Sequence, residues 1–167
     1  RRHAACSLFM ASQTLPRKPR LIGPRKTFAI VASMYNEPLM NGLLESTKAE
    51  LLGLMPAASV PLYRVPGAWE IPAGLDALAR SGEYSALVAL GVLIRGGTMH
   101  FEVIADQCSR GIAEVALRRE LPVTFGVLTC ETMEQAAARA GGAEGNKGEE
   151  AALAALEMAS LLARLRT

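Results

Sequence analysis

Four short apolar runs alternate along the chain with segments of helical periodicity, and this alternation constrains the fold more than any other feature. Unbroken apolar runs are typical of strands buried on both faces of a parallel sheet. The segments between them are long enough to cross over a sheet in the usual right-handed sense. The sequence therefore predicts an α/β protein: a single-domain three-layer αβα sandwich around a four-stranded parallel sheet. The predicted strands are Phe28–Ser33, Val60–Val65, Ala86–Ile94 and Val123–Thr129.

The predicted helices of this flavodoxin-like arrangement follow each strand. Asn36 is a candidate N-cap with Pro38 in the first turn, and Thr132 with Gln135 forms a capping-box pattern. After the glycine-rich joint 141–148 an Ala/Leu helix runs to the C-terminus. The other helices are expected at about 39–52, with leucines at helical spacing, at 71–80, and from His100 to about Glu120.

Composition excludes several classes of protein. No apolar run approaches the roughly 18 residues that span a bilayer. The net charge of +2 is unevenly distributed: residues 1–27 contain seven basic residues and no acid, so the remainder of the chain carries a net charge of −5. An acidic domain in a chain with only 5% aromatic residues is not suited to binding nucleic acid. Three cysteines without CxxC spacing, and only His3 and His100, argue against disulfides and zinc. We expect a soluble, metal-free protein, cytoplasmic or organellar, with no nucleic-acid or membrane partner.

Residues 1–26 differ from the rest of the chain. They are basic, contain Pro and Ser and lack periodicity, so we expect an extended or disordered segment ahead of a single folded domain at 27–167. A plastid transit peptide is the alternative, and Met10 is a candidate start of the natural protein. Leu21-Ile22-Gly23 is an apolar patch that could dock as an added strand.

The unusual residues of the chain fall where the predicted strands end, which is where parallel sheets bind ligands. Gly96-Gly97-Thr98 enters a helix and suits a phosphate cradle, although a tight turn could require the glycines for its dihedral angles alone. His100 could transfer protons or make one structural hydrogen bond. Glu70 could bond ligand hydroxyls or cap a helix, and Trp69 could be a ligand platform or core. No Walker or GxGxxG nucleotide motif is present.

Four segments together resemble the 6,7-dimethyl-8-ribityllumazine synthase family, in the family's order and spacing, over residues 27 to about 162. The resemblance implies condensation of 5-amino-6-ribitylamino-pyrimidinedione with 3,4-dihydroxy-2-butanone 4-phosphate, in riboflavin biosynthesis. The products are ribityllumazine, phosphate and water, and the family uses no metal and no organic cofactor. The matching segments are Val65–Pro72, Gly91–His100, Phe125–Thr129 and Arg139–Gly148.

The resemblance also implies roles for individual residues. His100 matches the proton-transfer histidine, and Arg139 matches the phosphate-binding arginine. Tyr35 takes the position that stacks on the pyrimidine, and Phe125 matches a residue that enters the neighbouring subunit's site. Phosphate is expected at Gly96, Gly97 and Thr98, the ribityl chain at Ala68, Trp69 and Glu70, and further substrate contacts at Asn36, Gly67, Val92, Leu93 and Ile94.

Three positions depart from the family pattern. Tyr35 replaces Phe or Trp, Trp69 replaces a common Phe, and Gly142-Ala143 stands where many members have Thr-Lys. The last change removes a cation on the phosphate side.

The resemblance further implies a homo-oligomer with a cyclic pentamer as its minimum unit. The joint 141–148 has no insertion relative to the joint of capsid-forming members, which permits pentamers to close into a 60-subunit icosahedral shell, although Pro24 and the basic tail could prevent that closure. A decamer is the alternative, and riboflavin synthase is a candidate partner. Two alternatives remain: a non-catalytic shell or flavin-binding homologue, and an unrelated sugar-phosphate binder.

Overall fold

A computed structural model describes residues 27–166 and confirms the predicted fold class. Four parallel strands pair in the order β2-β1-β3-β4, and a two-stranded antiparallel hairpin, β5-β6, lies before the last helix. The strands are β1 Phe28–Ser33, β2 Leu62–Val65, β3 Ala86–Ile94, β4 Val123–Cys130, β5 Ala140–Gly142 and β6 Gly145–Asn146. The helices are α1 Glu37–Leu54, α2 Ile71–Ser81, α3 His100–Arg119, α4 Met133–Arg139 and α5 Lys147–Leu165, with a 3-10 turn at Ala68–Glu70.

Helices cover both faces of the parallel sheet, so the core consists of two layers. In β1, Phe28 and Ile30 point to the layer formed with α1 and α5, whereas Ala29 and Val31, which alternate with them, point to the layer formed with α2 and α3. Both central strands are buried from end to end apart from the last two residues of β3. This burial explains why these two strands read as unbroken apolar runs, and their bounds agree with the prediction.

The predicted second strand is too long at its start. β2 begins at Leu62, after Pro61, which has no N–H to donate to a ladder. The carbonyl oxygen of Pro61 still accepts a hydrogen bond from the N–H of Ile30 at 3.0 Å. The chain therefore approaches the sheet before it becomes a regular strand.

The two predicted helix caps have different outcomes. The Oγ1 of Thr132 accepts the N–H of Gln135 at 3.3 Å, as predicted, but Gln135 Oε1 accepts from the N–H of Glu131 rather than completing the box. Asn36 stands at the N-cap of α1 in a left-handed conformation (φ 58°) and makes no capping bond with its side chain. Its Nδ2 donates instead to the carbonyl oxygen of Val92 at 3.0 Å, so the side-chain part of that prediction is wrong.

The glycine-rich joint 141–148 has regular secondary structure. It contains part of the β5-β6 hairpin, and α5 already begins at Lys147, inside the predicted joint. Gly141 and Gly145 have φ of 113° and 85°, a region that favours glycine. Asn146 caps α5 by accepting the N–H of Gly148 at 2.8 Å, and its Nδ2 reaches the carbonyl of Gly42 at 3.1 Å.

The expectations for residues 1–26, including the added strand at Leu21-Ile22-Gly23, lie outside the described residues. Within 27–166 no helix is long and apolar enough to cross a membrane.

Candidate active site

A cavity of about 880 Å³ lies beyond the carboxyl ends of β1, β2 and β3, at the place that the topology predicts. Most of the predicted site residues line it together. They are Tyr35, Asn36, Gly67, Ala68, Trp69, Glu70, Val92, Leu93, Ile94, Gly96, Thr98 and His100.

The turn after β2 forms one wall of the cavity. The N–H of Gly67 donates to Oε2 of Glu70 at 2.9 Å, so Glu70 caps this turn. A Cβ at position 67 would lie 3.2 Å from that carboxylate oxygen and 3.5 Å from Cε2 of Tyr35. The absence of a side chain at Gly67 therefore allows the Tyr35 ring and the Glu70 carboxylate to approach the same turn.

Two aromatic rings are open to the cavity. Tyr35 is 71% exposed and Trp69 is 53% exposed, although both are large apolar side chains. Exposed aromatic rings that line a concave site offer flat surfaces for stacking. The alternative interpretation of Trp69 as a core residue is therefore wrong.

The turn between β3 and α3 contains two glycines, Gly96 and Gly97, that its backbone does not require. Neither Gly96 nor Gly97 has a positive φ, and a Cβ built on either meets no atom within 4 Å. The backbone of the described chain therefore requires glycine at neither position for dihedral angles or for packing. What the two glycines do provide is open space above the N–H groups that precede α3, where an anion can approach.

His100 is the first residue of α3, as predicted, and lines the same cavity. Its backbone N–H contacts Oγ1 of Thr98 at 3.4 Å. In the described part of the chain its imidazole has no hydrogen-bond partner, which leaves the structural-bond interpretation without support. The ring is therefore available to a ligand.

Arg95 carries a positive charge immediately before this turn, but two carboxylates already bind it. Its Nε lies 2.6 Å from Oε2 of Glu131, and its Nη1 pairs with Glu102, while the guanidinium lies 4.7 Å from the centre of the Phe101 ring. Hydrogen bonds to Glu102 and then to Glu131 raise the pKa of Arg95 above its usual value. Arg95 thus ties the start of α3 to the segment after β4 instead of offering a free cation.

Several residues that line the cavity are absent from the sequence prediction. Val103 and Ile104 lie three and four residues after His100, so helical spacing could have found them. Ser33 ends β1 with a hydroxyl that is buried and has no hydrogen-bond partner within the described chain. The remaining additional lining residues are Pro66, Phe101 and Met133.

Three predicted site residues do not line this cavity: Gly97, Phe125 and Arg139. Gly97 lies between two residues that do. Phe125 is 47% exposed and is the third residue of the edge strand β4. Arg139 ends α4, about 9 Å along the helix axis from Met133, which does line the cavity.

Comparison with known proteins identifies the family of this chain. The family model described as 6,7-dimethyl-8-ribityllumazine synthase matches residues 25–163. A protein of that name from Edwardsiella ictaluri (strain 93-146) is 49% identical over 145 residues, which are 86% of this chain and 93% of the relative. Proteins of the same name from Xanthomonas oryzae pv. oryzae strains PXO99A and MAFF 311018 are each 46% identical over 140 residues, 83% of this chain and 91% of each relative. The chain therefore belongs to the 6,7-dimethyl-8-ribityllumazine synthase family.

Proposed function

We propose that this chain condenses 5-amino-6-ribitylamino-pyrimidinedione with 3,4-dihydroxy-2-butanone 4-phosphate to give 6,7-dimethyl-8-ribityllumazine, inorganic phosphate and water. The observation that carries the proposal is the turn before α3. Two glycines that neither fold nor packing requires stand next to a histidine whose ring has no partner in the described chain. A binding protein without turnover has no need for that histidine beside an anion cradle.

We infer that the two substrates occupy different parts of the cavity. Tyr35 and the segment Ala68–Glu70 would hold the pyrimidine ring and its ribityl chain. Gly96–Thr98 would hold the phosphate of the butanone at the N-terminus of α3, where backbone N–H groups and the helix dipole favour an anion. Two reactants held side by side gain effective concentration, which alone can supply a large part of the rate enhancement.

His100 would move the protons that the condensation requires. The substrate amine attacks the ketone, and the resulting carbinolamine loses water. Elimination of phosphate from the terminal carbon of the butanone, followed by tautomerisation, leaves a second carbonyl on the adjacent carbon. The ribityl-bearing nitrogen attacks this carbonyl and closes the ring with loss of a second water. Each step transfers a proton, and an imidazole can accept and release protons near neutral pH.

We further propose that each site is completed by a neighbouring copy of the chain in a cyclic pentamer. Phe125 and Arg139 do not line the cavity of their own chain, yet Phe125 is a large apolar side chain that is half exposed. β2 and β4 are also unpaired sheet edges in the described chain, and proteins usually cover such edges. In this assembly Phe125 would contact the neighbour's pyrimidine and Arg139 the neighbour's phosphate.

Two experiments test these proposals, the first on single variants and the second on mixed subunits. The two substrates are mixed with enzyme, and product is followed by lumazine absorbance and fluorescence. His100→Ala should lower kcat by about 10²–10⁴-fold, whereas Gln107→Ala, an exposed change on the same helix, should not. An unchanged kcat in His100→Ala contradicts the catalytic assignment.

Shared sites give a quantitative expectation for mixed assemblies. His100→Ala and Phe125→Ala subunits are unfolded together, mixed in equal amounts and refolded. If each site takes His100 from one subunit and Phe125 from the next, about a quarter of the sites regain both residues and activity rises accordingly. No recovery above the separate variants contradicts the shared site, and an active monomer in sedimentation contradicts the pentamer.

We place catalysis in residues 27–167 and a cytoplasmic location for the enzyme, with the plastid as the alternative if residues 1–26 act as a transit peptide. Closure of pentamers into a decamer or a 60-subunit shell, and association with riboflavin synthase, remain predictions.

A further inference from the structure

The β5-β6 hairpin presents a carboxylate to the arginine that is expected to bind phosphate. Oε2 of Glu144 lies 2.6 Å from Nη2 of Arg139, and Nη1 of Arg139 donates to the carbonyl oxygen of Gln135 at 3.0 Å. Glu144 is the only charged residue between Ala140 and Asn146. The charge that Arg139 meets on this hairpin is therefore negative.

The backbone holds Glu144 in this place. The N–H of Glu144 donates to the carbonyl oxygen of Ala138 at 2.9 Å, and Gly141 and Gly145 adopt the positive φ values that let the chain turn so tightly. The pairing of Ala140 with Asn146 and of Gly142 with Gly145 closes the hairpin around it. Glu144 is thus fixed by main-chain bonds that do not depend on its side chain.

Lys147, the basic residue that follows the hairpin, is also paired with a carboxylate. Nζ of Lys147 is itself bound to Oε2 of Glu150 at 2.6 Å. Ala143 stands where the family resemblance leads one to expect a lysine. A phosphate dianion that approaches Arg139 therefore meets a guanidinium whose charge is already balanced by Glu144.

We propose that Glu144 is an internal competitor for Arg139 and weakens the affinity of the site for the butanone phosphate. The proposal rests on the phosphate-binding role of Arg139 proposed above. Both partners are partly exposed, with side-chain exposures of 33% and 46%, and exposed ion pairs are weak. A phosphate can replace the carboxylate by accepting two parallel N–H bonds from the guanidinium. Glu144 then sets the affinity for the phosphate substrate without blocking the site.

The opposite role for Glu144 predicts the opposite result. If the carboxylate served to hold Arg139 in the conformation that binds phosphate, its removal would weaken phosphate binding. Competition and positioning therefore differ in the sign of one measurement. Glutamine keeps the size and hydrogen-bonding capacity of the side chain while removing its charge.

The test is Glu144→Gln in the assembled enzyme, with Michaelis constants for both substrates and the inhibition constant of inorganic phosphate. Competition predicts that KM for the butanone phosphate and the inhibition constant of phosphate both fall about two- to fivefold at low salt. The change should shrink as ionic strength rises, because salt screens exposed charges. KM for the pyrimidine should stay unchanged, which separates this effect from a general rearrangement of the site.

Two further variants separate the possible failures. Glu114→Gln removes the carboxylate of another exposed pair, Glu114–Arg118, and should leave both phosphate constants unchanged. Arg139→Ala should raise KM for the butanone phosphate far more than KM for the pyrimidine. If Arg139→Ala has this effect but Glu144→Gln leaves the phosphate constants unchanged or raises them, the competitor proposal is overturned while the role of Arg139 stands. If Arg139→Ala has no effect, the proposed phosphate role fails first.

Discussion

Gly148 lies where α5 crosses α1, and replacing it with alanine should destabilise the protein despite the better helix propensity of alanine. A Cβ at this position would overlap the carbonyl oxygen of Leu43 and lie 2.6 Å from Oγ1 of Thr47 and 2.9 Å from Oδ1 of Asn146. Thr47 is buried, and its hydroxyl is held by a 2.7 Å bond to the same Leu43 carbonyl. None of these atoms can move aside cheaply, because each belongs to the backbone or to a short side chain already engaged in a hydrogen bond.

The magnitude follows from two opposing contributions. Overpacking of a tight contact costs about 1–3 kcal/mol, whereas Gly to Ala in a helix interior gains at most about 1 kcal/mol, and less in a first turn. With a gain of about 0.5 kcal/mol in the first turn, the net loss should be about 0.5–2.5 kcal/mol, which lowers Tm by roughly 1–10 °C in a domain of this size.

Gly53→Ala is the matched control for this change. Gly53 lies near the end of α1, and a Cβ there meets no atom within 4 Å. This variant should melt at or slightly above the wild-type temperature. Both variants are melted at one protein concentration, because subunit association shifts the apparent stability. If Gly148→Ala melts as high as Gly53→Ala, then Gly148 is not packed as closely against α1 as the structure indicates.

Two further predictions concern the proposed substrate contacts. Gly97→Ala should leave the stability within about 0.5 kcal/mol of wild type, because nothing in the described chain lies near the added methyl. It should nevertheless raise KM for the butanone phosphate about tenfold, because the methyl group would occupy the space through which the phosphate reaches an N–H group and one hydrogen bond to the anion would be lost. An unchanged KM in steady-state assays would place the phosphate elsewhere. Tyr35→Ala should raise KM for the pyrimidine by about two- to tenfold and Tyr35→Phe should change it little, because stacking requires the ring and not the hydroxyl. A large defect in the Phe variant would show that the hydroxyl binds substrate.

The central strands could be predicted from sequence because their environment is uniform. β1 and β3 have neighbours on both sides and helices on both faces, so all their positions except Ser33 and Gly91 carry an apolar side chain. The hairpin in 140–146 could not be found in this way. Its strands are two and three residues long and rich in glycine, which leaves no periodic pattern to detect.

Long-range hydrogen bonds account for the wrong cap. Asn36 has the residue type and position of an N-cap, but the carbonyl of Val92, 56 residues further along the chain, binds its side chain instead. For the cavity, the motif positions at the strand ends were predictable because parallel strands bring their carboxyl ends together. The pairing of Arg95 with Glu102 in the first turn of α3 and with Glu131 after β4 was not, because nothing in their spacing links all three.

The neutralised Arg95 has a consequence for how the enzyme would turn over. Because Glu102 and Glu131 take up its charge, the proposed cradle before α3 would hold an anion by N–H groups and the helix dipole, without a free cation from Arg95. Such a site would select anions by their shape and by the arrangement of its N–H donors, and it would bind them with moderate affinity. Inorganic phosphate is a product that must depart before the next cycle can start. We therefore expect its release to be fast enough that the chemical steps, and not escape of the leaving group, limit the rate.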